Sequence, residues 1–208
     1  MRGACHFVSD DLRTRFFPPR VEPENILRLD LPLNRRGLSV ESGNAMNDAA
    51  TIKQLCDEQN LKLAVAESVT VGRIQAQIGS VSGASTYFQG GVVAYNLDQK
   101  VALLGVERVH AAAVDCVSPR VAQEMARGIA RLFRATIAVG ITGYAEPAAA
   151  GVDSSVQAFY AIWDQRNPDL QTAVATRFAH RGLDRCAVQQ AFAEDALQAL
   201  MRYLLRAG

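Results

Sequence analysis

The chain is short of the features that mark several common protein classes. Its four cysteines, Cys5, Cys56, Cys116 and Cys186, are scattered and form no CxxC pair. They read as reduced thiols of a cytoplasmic protein, with no disulfide framework expected. The three histidines, His6, His110 and His180, lie far apart without metal-ligand spacing, so no metal site is expected. Neither sign of charge is in excess: the formal net charge is +1, which makes no electrostatic case for nucleic acid or an anionic membrane. No apolar run approaches the roughly 20 residues that span a bilayer. What remains is 208 residues, 49 % of them apolar, enough for one domain with a real core.

Residues 1–45 differ from the rest. They hold Pro18, Pro19, Pro23 and Pro32, four of the seven prolines, and show no sustained hydrophobic period. Such a segment buries too little apolar surface to offset its ordering entropy. It is expected as a poorly ordered extension or as an arm docked through Phe16, Phe17 and Leu27, with Met46 an alternative start. The domain proper is expected over 46–208.

From Met46 the elements alternate. "DAATIKQLCDEQN" predicts a helix, "LKLAVAE" a buried strand, and "VGRIQAQIG" a second helix. "GGVVAYN" predicts a strand, followed by a short helix in "DQKVALLG" closed by Gly105. "SPRVAQEMARGIARLFR" is the clearest helix, with Ser118 as N-cap, Pro119 at N1 and a stripe of Val121, Met125, Ile129 and Leu132. "ATIAVGIT" is too apolar to alternate and predicts a strand buried on both faces. "VQAFYAIW" and "LQTAVATRFAH" predict a hairpin. Asp184–Leu205 predicts a closing helix with Val188, Phe192, Ala196, Leu200 and Tyr203 inward. The fold class is α/β: one domain, a mixed sheet covered by helices.

Three strand ends carry polar residues: Glu67-Ser68-Val69-Thr70, residues 83–100, and "ITGYAEP" at 141–147. Ligands of open α/β sheets bind outside the carboxyl ends of strands, so these segments point to a shared pocket. Ser68 or Thr70 can cap the following helix, and that helix start can also hold a phosphate. Ser85 follows a Gly turn, Tyr95 ends a strand, and Lys100 falls early in a short helix. A serine needs a base to become a nucleophile, and a lysine serves only when its pKa is lowered. The turn after Thr142 and Gly143 can offer backbone N–H groups to an oxyanion. Each feature also has a plain structural reading as a cap, a rim aromatic or a solvated lysine.

In order along the chain, "AES.T.G", "SGAS.YF.GGVVAYN...K..LLGV" and "VS..VA..MA.G...L.A.IAVGITG.A.P" resemble the C-terminal domain of CinA, the nicotinamide-nucleotide amidase family, over about residues 47–205. The resemblance implies hydrolysis of the carboxamide of nicotinamide mononucleotide to nicotinate mononucleotide and ammonia, in salvage of pyridine nucleotides. It implies no metal or organic cofactor, and leans towards a homo-oligomer. The family's catalytic serine in "GSS" and its tyrosine and lysine in "YSNEAK" fall here on Ser85, Tyr95 and Lys100. Glu67, Ser68, Thr70, Gly72, Thr142, Gly143 and Tyr144 are expected to wall the nucleotide pocket. Val69, Val71, Glu146 and Gln157 stand where the family has Cys and three glycines. Valine resists positive φ at position 71, and Glu146 is expected to repel a phosphate by about 1 kcal/mol. Three readings stay open: this amidase, an amidase for another amide, and a nucleotide binder without turnover.

Overall fold

A computed structural model describes residues 44–147, 155–167, 172–179 and 183–207. The expectation for residues 1–45 therefore lies, but for its last two residues, outside the described ones. The elements run α1 (Asn44–Glu58), β1 (Leu63–Glu67), α2 (Arg73–Gly79), β2 (Phe88–Val93), α3 (Leu97–Leu104), α4 (Arg108–Ala113), α5 (Pro119–Phe133), β3 (Ile137–Tyr144), β4 (Ser155–Asp164), β5 (Thr172–Ala179) and α6 (Arg185–Ala207). A 3-10 turn at Ala84–Thr86 precedes β2. The five strands form one mixed sheet in the order β2-β1-β3-β4-β5. β1 pairs in parallel with β2 and β3, and β3, β4 and β5 pair antiparallel. The expected hairpin is β4–β5.

Side-chain size explains how the layers stack. Leu63 and Val65 of β1 and Ile137, Val139 and Ile141 of β3 face a core shared with α1, α2 and α6. The alternate residues Ala64, Ala66 and Ala138 face α5. They are small because α5 lies close to the sheet. A Cβ on Gly140 would come within 2.4 Å of the Ala122 carbonyl oxygen in that helix. β3 is thus buried on both faces through Thr142, as its composition predicts.

Several local signals act as expected. Ser118 accepts a hydrogen bond from Val121 N–H at 3.2 Å, Pro119 occupies the first helical turn, and Gly105 closes α3 in the left-handed region. Two details differ. Leu132 is half exposed, because it lies one turn beyond Gly128, where the Leu104 end of α3 crosses α5. α4 is an additional helix, started by the Glu107 carboxylate, which accepts from the N–H groups of Val109 and His110.

Candidate active site

The connections fix where polar residues gather. β1 lies between β2 and β3, and the chain passes from β1 to β2 on one side and then to β3 on the other. The crevice outside their carboxyl ends is the place such a sheet offers a ligand. A cleft of about 510 Å³ opens there. Ser68 from the end of β1, Tyr95 and Lys100 from the β2–α3 segment, and Thr142, Gly143 and Tyr144 from β3 line it. Asp115 and Cys116, before α5, Glu146 and Arg185 also line it.

Lys100 is the centre of the arrangement. Asn96 caps α3 by accepting from Gln99 N–H at 2.9 Å, and Lys100 follows in the next turn, 1 % exposed. Its Nζ lies 2.8 Å from Ser68 Oγ and donates to the Ala94 carbonyl at 2.9 Å. The parallel register sets up this meeting. Ala94 N–H bonds to the Glu67 carbonyl at 2.8 Å, so Ser68 and Ala94 sit level when Lys100 turns back towards the sheet. Burial pushes the Lys100 pKa down, and the nearby Cys116 and Asp115 oppose the shift. An ordinary lysine costs about 4–5 kcal/mol to deprotonate at pH 7, and burial removes part of that cost. A neutral amine 2.8 Å from a hydroxyl can take its proton.

Ser85 does not join this pair. It is exposed on the 3-10 turn before β2, whereas Tyr95 and Lys100 come after β2. The six residues of β2 span about 20 Å, so the turn leading into the strand and the segment leaving it lie at opposite ends of the strands. The expected contact between Ser85 and Lys100 is thus corrected to one between Ser68 and Lys100. Tyr95 lies at the cleft but bonds elsewhere: its hydroxyl accepts from Arg185 at 2.6 Å.

Glu67, Thr70 and Gly72 are also relocated. The Glu67 carboxylate is fully buried and accepts from the N–H groups of Gly72 at 2.9 Å, Ile74 at 3.2 Å and Gln75 at 2.9 Å. That carboxylate fills the start of α2, so neither Ser68 nor Thr70 caps the helix and no phosphate is needed there. Thr70 is fully buried, and neither it nor Gly72 lines the cleft. Val71 adopts φ 50° and Gly72 φ 88°, so the valine does occupy the left-handed region that disfavours it.

On the opposite wall, Thr142 Oγ1 donates to the Cys116 carbonyl at 2.7 Å, and the Tyr144 hydroxyl donates to Asp115 at 3.0 Å. Together they pin a turn in which Asp115 and Cys116 both have positive φ, 47° and 62°. Backbone strain of this kind concentrates at functional sites. Burial and the Asp115 carboxylate push the Tyr144 pKa up, which keeps its hydroxyl a donor. Among the described residues, no group of three or more His, Cys, Asp or Glu is arranged to hold a metal ion.

The sequence does not single out Arg185, Asp115 and Cys116. Arg185 reaches the cleft because α6 begins beside it. Its guanidinium pairs with Glu146 and with Tyr95.

The family model for the CinA C-terminal domain matches residues 46–204. The chain belongs to this family. A CinA-like protein of Chlorobium limicola is 35 % identical over 184 residues, covering 88 % of this chain and 43 % of that protein. A CinA-like protein of Geobacter sulfurreducens is 36 % identical, covering 89 % of this chain and 44 % of that protein. The chain thus spans less than half the length of these relatives. Among solved structures, the competence/damage inducible protein CihA of Agrobacterium tumefaciens superposes with a TM-score of 0.68 at 26 % identity, covering 79 % of this chain and 98 % of that one. A CinA superfamily protein of Escherichia coli shares the fold, with a TM-score of 0.68 at 22 % identity over 83 % of this chain and 96 % of that one.

Proposed function

We propose that this chain hydrolyses the carboxamide of nicotinamide mononucleotide, with Ser68 as nucleophile and Lys100 as base. The observation that carries the reading is the buried Lys100 amine 2.8 Å from the Ser68 hydroxyl, at the floor of a cleft large enough for a nucleotide. Lys100 accepts the Ser68 proton as Oγ attacks the amide carbon. The N–H group of Val69, which lines the cleft and bonds to no backbone acceptor among the described residues, is the donor nearest in sequence for the oxyanion. The Lys100 ammonium then returns its proton to the departing nitrogen, and ammonia leaves. Water attacks the acyl-enzyme with Lys100 again as base, restoring the Ser68 hydroxyl and releasing nicotinate mononucleotide. The cationic pyridinium ring makes the amide carbon more electrophilic, which suits a serine–lysine pair working without histidine.

The test is ammonia release from nicotinamide mononucleotide. Ser68→Ala and Lys100→Ala should each abolish turnover, whereas Ser85→Ala should keep most of it. Loss of turnover in Ser85→Ala with full activity in Ser68→Ala would return the nucleophile to the 3-10 turn. A folded wild-type protein that releases no ammonia would refute the amidase reading.

A further inference from the structure

The basic residues among those described as lining the cleft are Lys100 and Arg185. Lys100 is committed at the floor to Ser68 and Ala94. The start of α2, the other natural seat for an anion, is filled by Glu67. Arg185 stands at the mouth, and its fork is held at two points. One terminal nitrogen donates to the Glu146 carboxylate and the other to the Tyr95 hydroxyl at 2.6 Å. The side chains of the ion pair are 42 % and 61 % exposed.

We propose that Arg185 binds the phosphate monoester of the substrate, and that Glu146 is its internal counter-anion, displaced when the phosphate arrives. This rests on the reading of the cleft as a nucleotide amidase site. An ion pair this exposed holds by no more than about fivefold over separated charges, so it is readily exchanged. A phosphate dianion carries more charge than one carboxylate, and its oxygens fit the planar guanidinium fork. Tyr95 bonds the second nitrogen and keeps the fork aimed while the first nitrogen changes partners. The reacting amide would then lie at the dry Lys100 end and the phosphate at the wet Arg185 end. Glu146 makes the site selective. A ligand without phosphate leaves the pair closed, and a ligand with phosphate must compete for the arginine. The carboxylate expected from the sequence only to repel phosphate thereby acts as a placeholder for it.

The experiment uses the full chain carrying Ser68→Ala, so that ligands persist. Nicotinamide mononucleotide, nicotinamide riboside and ribose 5-phosphate are titrated calorimetrically. Glu146→Gln should tighten both phosphate-bearing ligands by about three- to tenfold. Arg185→Gln should weaken both by tenfold or more, and Arg185→Lys, which keeps the charge but loses the fork, should fall between. The riboside should change by less than twofold throughout. Melting temperatures establish that each variant is folded. Equal shifts for ligands with and without phosphate, or no shift in either, overturns the proposal. So does a folded Glu146→Gln protein that binds neither phosphate-bearing ligand at millimolar concentration. If ribose 5-phosphate responds as stated while the Ser68-containing protein releases no ammonia, the exchange stands and the amidase reading falls. If ammonia is released with a KM unmoved by either substitution, the amidase stands and the exchange falls.

Discussion

Replacing Glu67 with glutamine tests the local logic of the cleft most directly, because it changes one oxygen for an NH2 group at nearly constant shape. In the native chain one carboxylate oxygen accepts from Gly72 and Ile74 and the other from Gln75. A glutamine must aim its NH2 group at one of these sets. The better choice faces Gln75 N–H, which loses one hydrogen bond and sets two donors against each other. The remaining two bonds lose their charge assistance. Hydrogen bonds to a charged group contribute about 1.5–3 kcal/mol each, and a buried donor left unpaired costs about 1–3 kcal/mol. With some relaxation the expected loss is about 2–4 kcal/mol. For a domain of this size that lowers Tm by roughly 4–16 °C. Thermal unfolding followed by far-ultraviolet circular dichroism measures it. Glu67→Ala should cost more, because three N–H groups lose their acceptor. A glutamine variant within about 0.5 kcal/mol of wild type would refute the argument. It would mean that the start of α2 is open, and the phosphate seat expected from the sequence would be restored.

Other changes probe other parts of the molecule. Burial raises the Asp195 pKa from 3.8 to about 6, with Glu194 adding to the rise and Arg202 opposing it. The folded state therefore binds more protons than the unfolded chain between these values, and stability falls as pH rises from about 4 to 6, by up to roughly 3 kcal/mol. Asp195→Asn should flatten the Tm profile over that window and melt higher than wild type at pH 8; an unchanged profile refutes the assignment. Val71→Gly should stabilise by about 0.5–1 kcal/mol in denaturant unfolding, since relief of the left-handed strain exceeds glycine's entropy cost; a loss of stability refutes it. The lowered Lys100 pKa places the ascending, acidic limb of kcat/KM below the ordinary lysine range, with activity rising as the amine loses its proton. Lys100→Met should end activity and leave stability equal or greater; destabilisation by several kcal/mol would mark the lysine as structural.

Much of the fold was legible because it is written locally. Ser118-Pro119 starts α5 and Gly105 stops α3, each through a backbone requirement that its own side chain meets. The unbroken apolar run of β3 announces burial on both faces. The site was legible only in part, because it depends on which strands are neighbours. Ser85 and Lys100 are 15 positions apart and Ser68 and Lys100 are 32 apart, yet the nearer serine in sequence is the farther one in space. A parallel pair of strands explains this: the turn before β2 lies at the same end of the strands as the start of β1, and the end of β1 lies beside the end of β2. Sequence proximity favours Ser85 as the neighbour of Lys100, and strand direction selects Ser68. Arg185 was missed for a similar reason, since nothing in "DRCAVQQ" shows that α6 begins at the mouth of a cleft built by β1, β2 and β3.

Glu67 and Lys100 show how one strand-end segment serves both stability and chemistry. Both are charged residues removed from water, and the fold treats them differently. Glu67 receives three N–H donors at a helix start, where the dipole favours its charge. Lys100 receives a hydroxyl and one carbonyl, and no carboxylate among the described residues forms an ion pair with it. Burial disfavours an ammonium so placed and lowers its pKa, against the opposing pull of Cys116 and Asp115. The adjacent positions 67 and 68 thus divide the work. The satisfied carboxylate fixes the turn, and the turn holds a hydroxyl against an amine whose pKa burial lowers. A purely structural lysine at this depth would be expected to have a carboxylate partner, as buried Asp164 has a cationic one in Arg166. Lys100 has no such ion pair among the described residues and meets the Ser68 hydroxyl instead, the contact on which its proposed role as base rests.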